Sequence, residues 1–224
     1  MGILSRENTT IIGPIFAMVE ATVTMFKLMI LAPFHYGWYL YQAWKRPIGK
    51  NKKNISILHM NCWMNGGGEK VLWTFINALL KEKNSYQVNL IYDGKVPKAE
   101  MLESVAKYFA LQIDPEELQT TIISEGWILY SENYFFASRL LEMISQFVIT
   151  PVILYRLPRS TDLLIDTMTS HFTLAASSLL SCSKFKTLCY AHYPFTTTST
   201  PINFLRQISF KPSLQKWNYI RMPF

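Results

Sequence analysis

Three short polar groups in the sequence have the residue types and the spacing to bind a ligand or to catalyse a reaction. The first is Gly66, Gly67, Gly68 and Glu69, which follow an apolar run and open a helical pattern. Glycines let the backbone approach a ligand closely, and the N–H groups that begin a helix suit a diphosphate or sugar hydroxyls. The alternative is a flexible connection in which Glu69 favours the first turn of the helix. The spacing is that of neither a P-loop nor a dinucleotide-binding loop.

The other two groups also stand directly after apolar runs. Asp166 and Thr167 close the run TDLLID, where a carboxylate can hold a hydroxyl or a backbone amide, or can cap the helix that follows. His192 and Tyr193 come just after the run KTLCY. A histidine at this place can donate to a sugar hydroxyl or to a developing charge. For His192 the alternative is a structural role, which is the usual one for a lone histidine.

These three groups fall where the sequence changes from strands to loops. Short apolar runs alternate with helical patterns, which favours a parallel sheet covered on both faces, as in a Rossmann-like α/β fold. Ligands of such sheets bind beyond the carboxyl ends of the strands, and all three groups lie there. The predicted strands are 55–60, 87–92, 120–124, 161–166 and 186–190, and the predicted helices are 69–82, 101–111 and 171–180.

The amino-terminal part of the chain predicts a membrane-anchor helix. Residues 11–32 are apolar and, as a helix, reach roughly 33 Å, which is enough for a hydrocarbon core. Glu20 and Lys27 lie on one stripe of that helix, and the aromatic residues of 36–44 are typical of a membrane interface. We predict that this helix spans the membrane. The alternative is a helix that lies in the interface.

Charge and composition agree with a membrane-attached globular domain. A net charge of +7 fits nucleic acid, an anionic membrane or a phosphorylated ligand. The basic run 45–53 adjoins the apolar segment and no nucleic-acid-binding module is recognisable, so the membrane is favoured and nucleic acid is not an expected partner. The positive-inside rule then places the bulk of a spanning chain in the cytosol and its amino terminus in the lumen. Half of the residues are hydrophobic, which excludes a mainly disordered chain.

The cysteines point away from disulfide and metal chemistry. Cys62, Cys182 and Cys189 are three in number and show no metal-binding spacing. In a cytosol-facing domain such residues are expected to be buried, reduced thiols.

Three sequence blocks contain the candidate groups: HMNCWMNGGGEKVLW, DLLIDTMTSHFTL and LCYAHYPF. In this order they resemble the GDP-mannose-dependent α-1,2-mannosyltransferase family of asparagine-linked glycosylation, over roughly residues 55–198. The resemblance implies the amino-terminal Rossmann-like domain of a retaining GT-B glycosyltransferase on the cytosolic face of the endoplasmic reticulum membrane. GDP-mannose is the implied donor, with no cofactor and no metal. The implied partners are dolichol-diphosphate-linked oligosaccharide, membrane lipid and other mannosyltransferases of the same pathway.

The resemblance also implies roles for the candidate residues. The glycines are expected to face the donor diphosphate and the reacting sugar, Asp166 the acceptor side, and His192 the transferred mannose as the catalytic residue. The expected substrate-binding residues are Gly66, Gly67, Gly68, Glu69, Asp166, Thr167 and Tyr193.

The expected organisation has five parts, with one apolar region whose place stays open. Residues 127–157 are expected to form a membrane-facing surface near the lipid acceptor, or else a pair of buried helices. The parts are a lumenal stub (1–10), a membrane anchor (11–44), a basic linker (45–53), a Rossmann-like acceptor domain (54–200) and an irregular tail (201–224).

The resemblance stops before the donor-binding half of the family. That half carries a pair of glutamates, and no such pair is recognisable in this sequence. Since transfer requires both substrates to be held together, the chain is expected to be truncated and to be weak or inactive alone. The alternative is a non-catalytic, membrane-tethered partner of full-length mannosyltransferases.

Overall fold

The computed structural model describes residues 4–45, 52–82, 84–130, 133–134, 138–168, 171–181 and 184–190. These residues form five helices, one 3-10 helix and five strands. The helices are α1 (Leu4–Trp44), α2 (Gly67–Lys81), α3 (Lys98–Phe109), α4 (Ser138–Arg156) and α5 (His171–Leu180), and the 3-10 helix is Ser124–Leu129. The strands are β1 (Lys53–Leu58), β2 (Tyr86–Tyr92), β3 (Leu118–Ile122), β4 (Leu163–Asp166) and β5 (Lys186–Cys189).

The strands form one parallel sheet in the order β3-β2-β1-β4-β5. The predicted α/β fold with a parallel sheet is thereby confirmed. The strand order reverses at β1, which has β2 on one side and β4 on the other. Leu58 at the end of β1 pairs with Ile91 of β2 and with Asp166 of β4. Loops that leave β1 and β4 therefore diverge at a switch point, which is where open α/β sheets bind ligands.

The sheet separates two hydrophobic cores. Ile55 and Ile57 of β1 point into the core under α2 and α3, whereas Leu58 points into the core under α4 and α1. This alternation follows from the two-residue period of a strand. Ile57 and Leu58 have no exposed surface, and burying a side chain of that size fully contributes about 1.5–3 kcal/mol. The central strand therefore stabilises both layers of helices, and it fixes the position of the loop that follows it.

Helix α1 packs on the domain along much of its length. Ala21, Met25 and Leu28 are buried in the same core as α4. Tyr39, eleven residues after Leu28 on the same side of the helix, is buried in that core as well. Tyr36 and Tyr39 donate hydrogen bonds to the backbone oxygens of Leu180 and Ser181, at the end of α5. The helix begins at Leu4, so part of the region predicted as a separate stub (1–10) is helical. No helix-breaking glycine or proline lies between residues 4 and 10.

The described part of the apolar region 127–157 holds the end of the 3-10 helix and helix α4. Val152 and Ile153 of α4 are buried in the core that contains Leu58. Leu140 near the start of α4 and Phe147 at its middle are about half exposed. One side of α4 therefore packs on the domain, and a membrane-facing role for its exposed side stays a prediction.

Several element boundaries differ from those predicted. Strand β1 ends at Leu58 instead of Met60, because ladder pairing with both neighbours stops there. It begins at Lys53, which was predicted to belong to the basic linker. Helix α2 begins at Gly67 instead of Glu69, since a glycine is tolerated in the first turn. The bounds predicted for α5 are confirmed.

Candidate functional site

The glycine loop connects the carboxyl end of β1 to α2. Gly66 is the amino-terminal cap of α2, and Gly67 is its first helical residue. The Glu69 side chain folds back over the cap, so that a Cβ added at Gly66 would stand 2.5 Å from the Glu69 carboxylate oxygen Oε2. An acidic side chain at the third helical position that reaches back to the cap satisfies free N–H groups of the first turn. A side chain at residue 66 would therefore displace the Glu69 carboxylate from this position.

Gly67 differs from Gly66 in its surroundings. A Cβ added at Gly67 would have no atom of the described residues within 4 Å. Neither packing nor a left-handed backbone conformation therefore explains a glycine at this position. What a side chain here would obstruct is the open space in front of the first turn of α2, where the helix presents backbone N–H groups and the positive end of its dipole.

His59 connects the two sides of the switch point. It follows β1 directly and is buried, with 5% of its surface exposed. Its Nδ1 atom lies 2.8 Å from the Thr167 hydroxyl oxygen, which comes just after β4. Its Nε2 atom lies 3.6 Å from Oε1 of Glu69, beyond hydrogen-bond length but within range of electrostatic attraction. The imidazole therefore links the first turn of α2 to the loop after β4.

The Thr167 hydroxyl joins His59 to the end of β1. Its oxygen lies 2.8 Å from Nδ1 of His59 and 3.1 Å from the Leu58 carbonyl oxygen, and that carbonyl also accepts the Thr167 backbone N–H at 3.2 Å. The hydroxyl has one proton, so it either donates to the Leu58 carbonyl and accepts from Nδ1–H, or donates to Nδ1. In both arrangements Thr167 connects the imidazole to the backbone of β1.

Glu69 is held in its ionised form. The pKa of its carboxyl group lies below the ordinary value, chiefly because of the His59 side chain, and the backbone N–H groups of Glu69 and Gly66 lower it further. Partial burial acts in the opposite direction and is outweighed. The site thus contains a negative charge behind the glycine loop that is stabilised by hydrogen-bond donors of the protein.

This shift predicts how acid affects stability. Because the pKa of Glu69 is lowered on folding, its ionised form stabilises the fold above the ordinary value near 4.5, and that stabilisation is lost as the pH falls through the lowered pKa. At pH 7 we expect Glu69→Gln to cost about 1 kcal/mol in the free energy of unfolding. The cost should shrink as the pH falls below about 5, where the wild-type carboxylate becomes protonated. Urea denaturation of both proteins between pH 7 and pH 3 measures this, and a cost that does not depend on pH would contradict it.

Asp166 is buried at the end of β4 and stabilises the local turn. Its Oδ1 atom accepts the backbone N–H of Met168 at 2.8 Å, and the residue has no exposed surface. The carboxylate thus holds a backbone amide, which is one of the roles predicted for it, at a residue that precedes α5 (His171–Leu180). Asp166 therefore fixes the turn that contains Thr167.

A small apolar cavity adjoins the site between α2 and the last two strands. Its volume is about 170 Å³, and Gly68, Phe75, Ile165, Thr167 and Tyr190 are among its lining residues. Gly68 and Thr167, which the sequence placed in two different groups, thus face the same space. An apolar wall beside a polar loop can accept the ring or chain of a ligand whose charged part lies at the helix end.

The structure brings two of the three predicted groups together. Gly66, Gly67, Gly68 and Glu69 lie on the β1 side of the switch point, and Asp166 and Thr167 lie on the β4 side. The third group, His192 and Tyr193, lies outside the described residues. His59 was not predicted as a site residue, because it was assigned to the interior of the first strand.

The part of the chain that the structure describes contains two of the three cysteines, both as free thiols. No cluster there contains three or more of the side chains that commonly bind metals. The Cys62 thiol is buried as predicted, and burial raises its pKa well above the ordinary range. Cys189 is only partly buried, because it lies in an edge strand, and Cys182 lies outside the described residues. Cys62 is therefore a packing residue.

The sequence of the chain matches known proteins over most of this domain. A family model described as the ALG11 mannosyltransferase N-terminus matches residues 52–214. A Caenorhabditis elegans protein is 24% identical over 169 residues, which are 75% of this chain and 33% of that protein. A Kluyveromyces lactis protein is 26% identical over 66% of this chain and 25% of its own length. A Mus musculus protein is 25% identical over 67% of this chain and 30% of its own length.

All three relatives carry the same name, GDP-Man:Man(3)GlcNAc(2)-PP-Dol alpha-1,2-mannosyltransferase. The chain spans a third or less of the length of these curated relatives. No solved structure matches it.

Proposed function

The chain belongs to the ALG11 mannosyltransferase N-terminus family, and from that premise we propose that it forms the acceptor-side domain of a GDP-mannose-dependent α-1,2-mannosyltransferase. In this proposal mannose passes from GDP-mannose to dolichol-linked oligosaccharide during assembly of the N-glycan precursor. The observation that carries the proposal is the open glycine loop at the switch point of the parallel sheet. Gly67 leaves space in front of the first turn of α2 that packing does not require.

The chemistry of the transfer suits this loop. The bond between the mannose carbon and the GDP diphosphate breaks, a bond to an acceptor hydroxyl forms, and negative charge grows on the leaving diphosphate. Backbone N–H groups and the positive dipole end of a helix stabilise such charge when they are already oriented toward it. In a GT-B arrangement the donor nucleotide would be held mainly by a second domain, with Gly66, Gly67 and Gly68 facing the reacting sugar.

The remaining predicted residues have complementary roles in this proposal. Thr167 faces the acceptor side, with the buried Asp166 holding its turn in place, and His192 lies near the transferred mannose as the catalytic residue, with Tyr193 beside it. The reaction takes place on the cytosolic face of the endoplasmic reticulum membrane. It uses protein groups to manage the leaving diphosphate and needs no metal.

Mannose transfer tests this function directly. The 224-residue chain and the longest form encoded by its transcript are incubated in detergent with GDP-mannose and Man3GlcNAc2-diphosphodolichol, and the mass of the acceptor is followed. We expect the longest form to add mannose and the 224-residue chain to bind the acceptor with little or no transfer. Absence of both acceptor binding and transfer would overturn the proposal. Absence of transfer together with co-purification of a full-length mannosyltransferase would identify a non-catalytic partner instead.

Substitution of Gly67 separates a ligand-binding role from a structural one. We expect Gly67→Leu to change the free energy of unfolding by less than about 1 kcal/mol, because the new side chain enters open space and glycine is a poor helix former. In the same protein, binding of the diphosphodolichol acceptor or of GDP-mannose should weaken about tenfold, a loss near 1.4 kcal/mol. Thermal unfolding and a binding titration on one preparation measure both effects.

The matched control is Gly66→Ala. Its new methyl group would displace the Glu69 carboxylate, so the loss of stability should accompany any loss of binding. If Gly67→Leu binds both substrates as tightly as the wild type, the space in front of α2 is not the substrate site.

A further inference from the structure

Helix α1 has three kinds of surface along its length. It contains a segment, Ile15–Ala43, that is long and apolar enough to cross a membrane, with a mean hydropathy of 1.8. Length and composition alone do not distinguish a crossing helix from one that lies on a membrane. The contacts of α1 with the rest of the chain do distinguish them.

The first surface is covered by the α/β domain. Contact begins at Ala21, which has no exposed surface, and continues through Met25, Leu28 and Tyr39 at helical spacing. Only residues 11–20 of the apolar run that begins at Ile11 precede the first of these contacts, and ten helical residues reach about 15 Å. Crossing a hydrocarbon core requires about 20 residues. A crossing α1 would therefore draw α4, and with it the sheet, into the bilayer.

The second surface is an apolar ridge turned away from the domain. Phe16, Phe26, Ile30 and Phe34 are each between 63% and 69% exposed. Side chains of this size are rarely left in water in such a row, and a continuous exposed patch of them marks a site of interaction. Among the described residues nothing covers this ridge.

The third surface is a polar edge beside the ridge. Glu20, Thr24 and Lys27 follow one another at spacings of four and three residues, so they lie on one side of the helix. Glu20 and Lys27 are exposed. A helix surrounded by lipid would hold these charges in hydrocarbon, whereas a helix that lies at the surface keeps them at the level of the headgroups.

The carboxyl-terminal end of α1 has the composition of a membrane interface. Trp38 and Tyr41 form an aromatic pair with ring centroids 5.6 Å apart, and the Lys45 ammonium lies over the Tyr41 ring. A cavity of about 280 Å³ beside Trp38 is also lined by Arg159 and Lys184. Aromatic rings and cations at the end of an apolar ridge are complementary to anionic lipid headgroups.

We propose that α1 does not cross the bilayer but lies in the plane of one leaflet, with its apolar ridge among the acyl chains and its buried stripe on the α/β domain. The partner is the surface of an anionic phospholipid bilayer. Both ends of the helix, and the domain with them, then remain on the same side of the membrane. The inference concerns attachment and stands apart from the proposed transfer reaction, so its test uses no activity measurement.

A topology assay on the full chain decides between the two arrangements. An extension of about 30 residues with an Asn-X-Thr sequon is fused to the amino terminus, far enough from the bilayer to be modified if lumenal. In sealed endoplasmic reticulum microsomes we expect the sequon to stay unglycosylated, and both this extension and a carboxyl-terminal tag to be digested by added protease. A glycosylated, protease-protected amino terminus would overturn the proposal.

Two matched arginine substitutions give a second, independent test by vesicle flotation with phosphatidylcholine and phosphatidylserine at four to one. Ile30→Arg places a charge on the ridge and should lower the bound fraction at least about tenfold. Glu20→Arg places an arginine on the polar edge, at the level of the anionic headgroups, and should not lower binding. Because Ile30 and Glu20 are both exposed, thermal unfolding should be unchanged in each. Equal loss of binding in the two variants would contradict the in-plane arrangement.

Discussion

Replacing Trp73 by alanine is expected to lower the free energy of unfolding by about 3–5 kcal/mol. Trp73 of α2 has no exposed surface and is the largest side chain in the core between α2 and the sheet. Its removal leaves a cavity that the parallel strands cannot close by small movements, since they are paired on both sides. The indole N–H also donates to the Cys62 carbonyl at 3.0 Å, in the loop that leads to the glycines.

Trp73→Phe divides this cost into packing and hydrogen bonding. Phenylalanine keeps much of the buried ring but leaves the Cys62 carbonyl without its donor, so we expect a loss of about 1–3 kcal/mol. Urea denaturation with two independent probes measures the free energy of unfolding of both variants. Phe75→Ala serves as a control, because Phe75 is on the same helix and is 38% exposed. A cost for Trp73→Ala no greater than that for Phe75→Ala would mean that α2 is not held to the sheet in the way described.

The architecture was predictable because its signal is local. A strand buried on both faces reads as a short apolar run, and the helix predicted at 171–180 has the bounds observed for α5. The error at the end of β1 has a cause that is not local. His59 and Met60 continue the apolar run Ile55–Leu58 in the sequence, and both are buried, but they lie beyond the last paired residue. Burial can be read from composition, whereas the end of a hydrogen-bonded ladder depends on the neighbouring strands.

The candidate site was predictable only in part for a related reason. Polar residues after strands could be found one strand at a time, which gave the glycine loop and Asp166-Thr167. The bridge between them depends on β1 and β4 being neighbours, although their last residues, Leu58 and Asp166, are 108 positions apart in the sequence.

 Between the two side chains that touch, His59 and Thr167, the separation along the sequence is 108 positions. No pattern within either segment indicates that contact, so His59 was missed.

The amino-terminal helix shows what hydropathy omits. The apolar length of α1 is a property of the sequence, and the helix predicted from it is present, while its place in a membrane stays a prediction. Which of its faces is already covered is decided by α4, whose own sequence mixes buried and exposed apolar residues. Ala21 and Phe26 contribute alike to an apolar segment, yet Ala21 packs on the domain and Phe26 is 63% exposed.

Replacing His59 by alanine is expected to disconnect the glycine loop from β4 and to lower both the stability of the fold and the rate of mannose transfer. His59 is a positioning residue: it holds Glu69 of α2 at 3.6 Å and the Thr167 hydroxyl at 2.8 Å. Its loss removes both contacts, and we expect about 2 kcal/mol less stability. A displacement of the loop by as little as about 1 Å should lower mannose transfer by the longest form of the chain about a hundredfold.

Conservative variants distinguish positioning from general destabilisation. Asparagine at residue 59 can place its amide near the position of Nδ1 and bind the Thr167 hydroxyl, so His59→Asn should recover part of the transfer rate. Thr167→Val removes the same contact from the other side. In a double-mutant cycle of His59→Ala and Thr167→Val, we expect the two losses of stability to be non-additive by about 0.5–3 kcal/mol, because both variants break one bridge. Strict additivity, with no recovery by asparagine, would show that the two sides of the switch point are held together by other contacts, and the role assigned to His59 would be wrong.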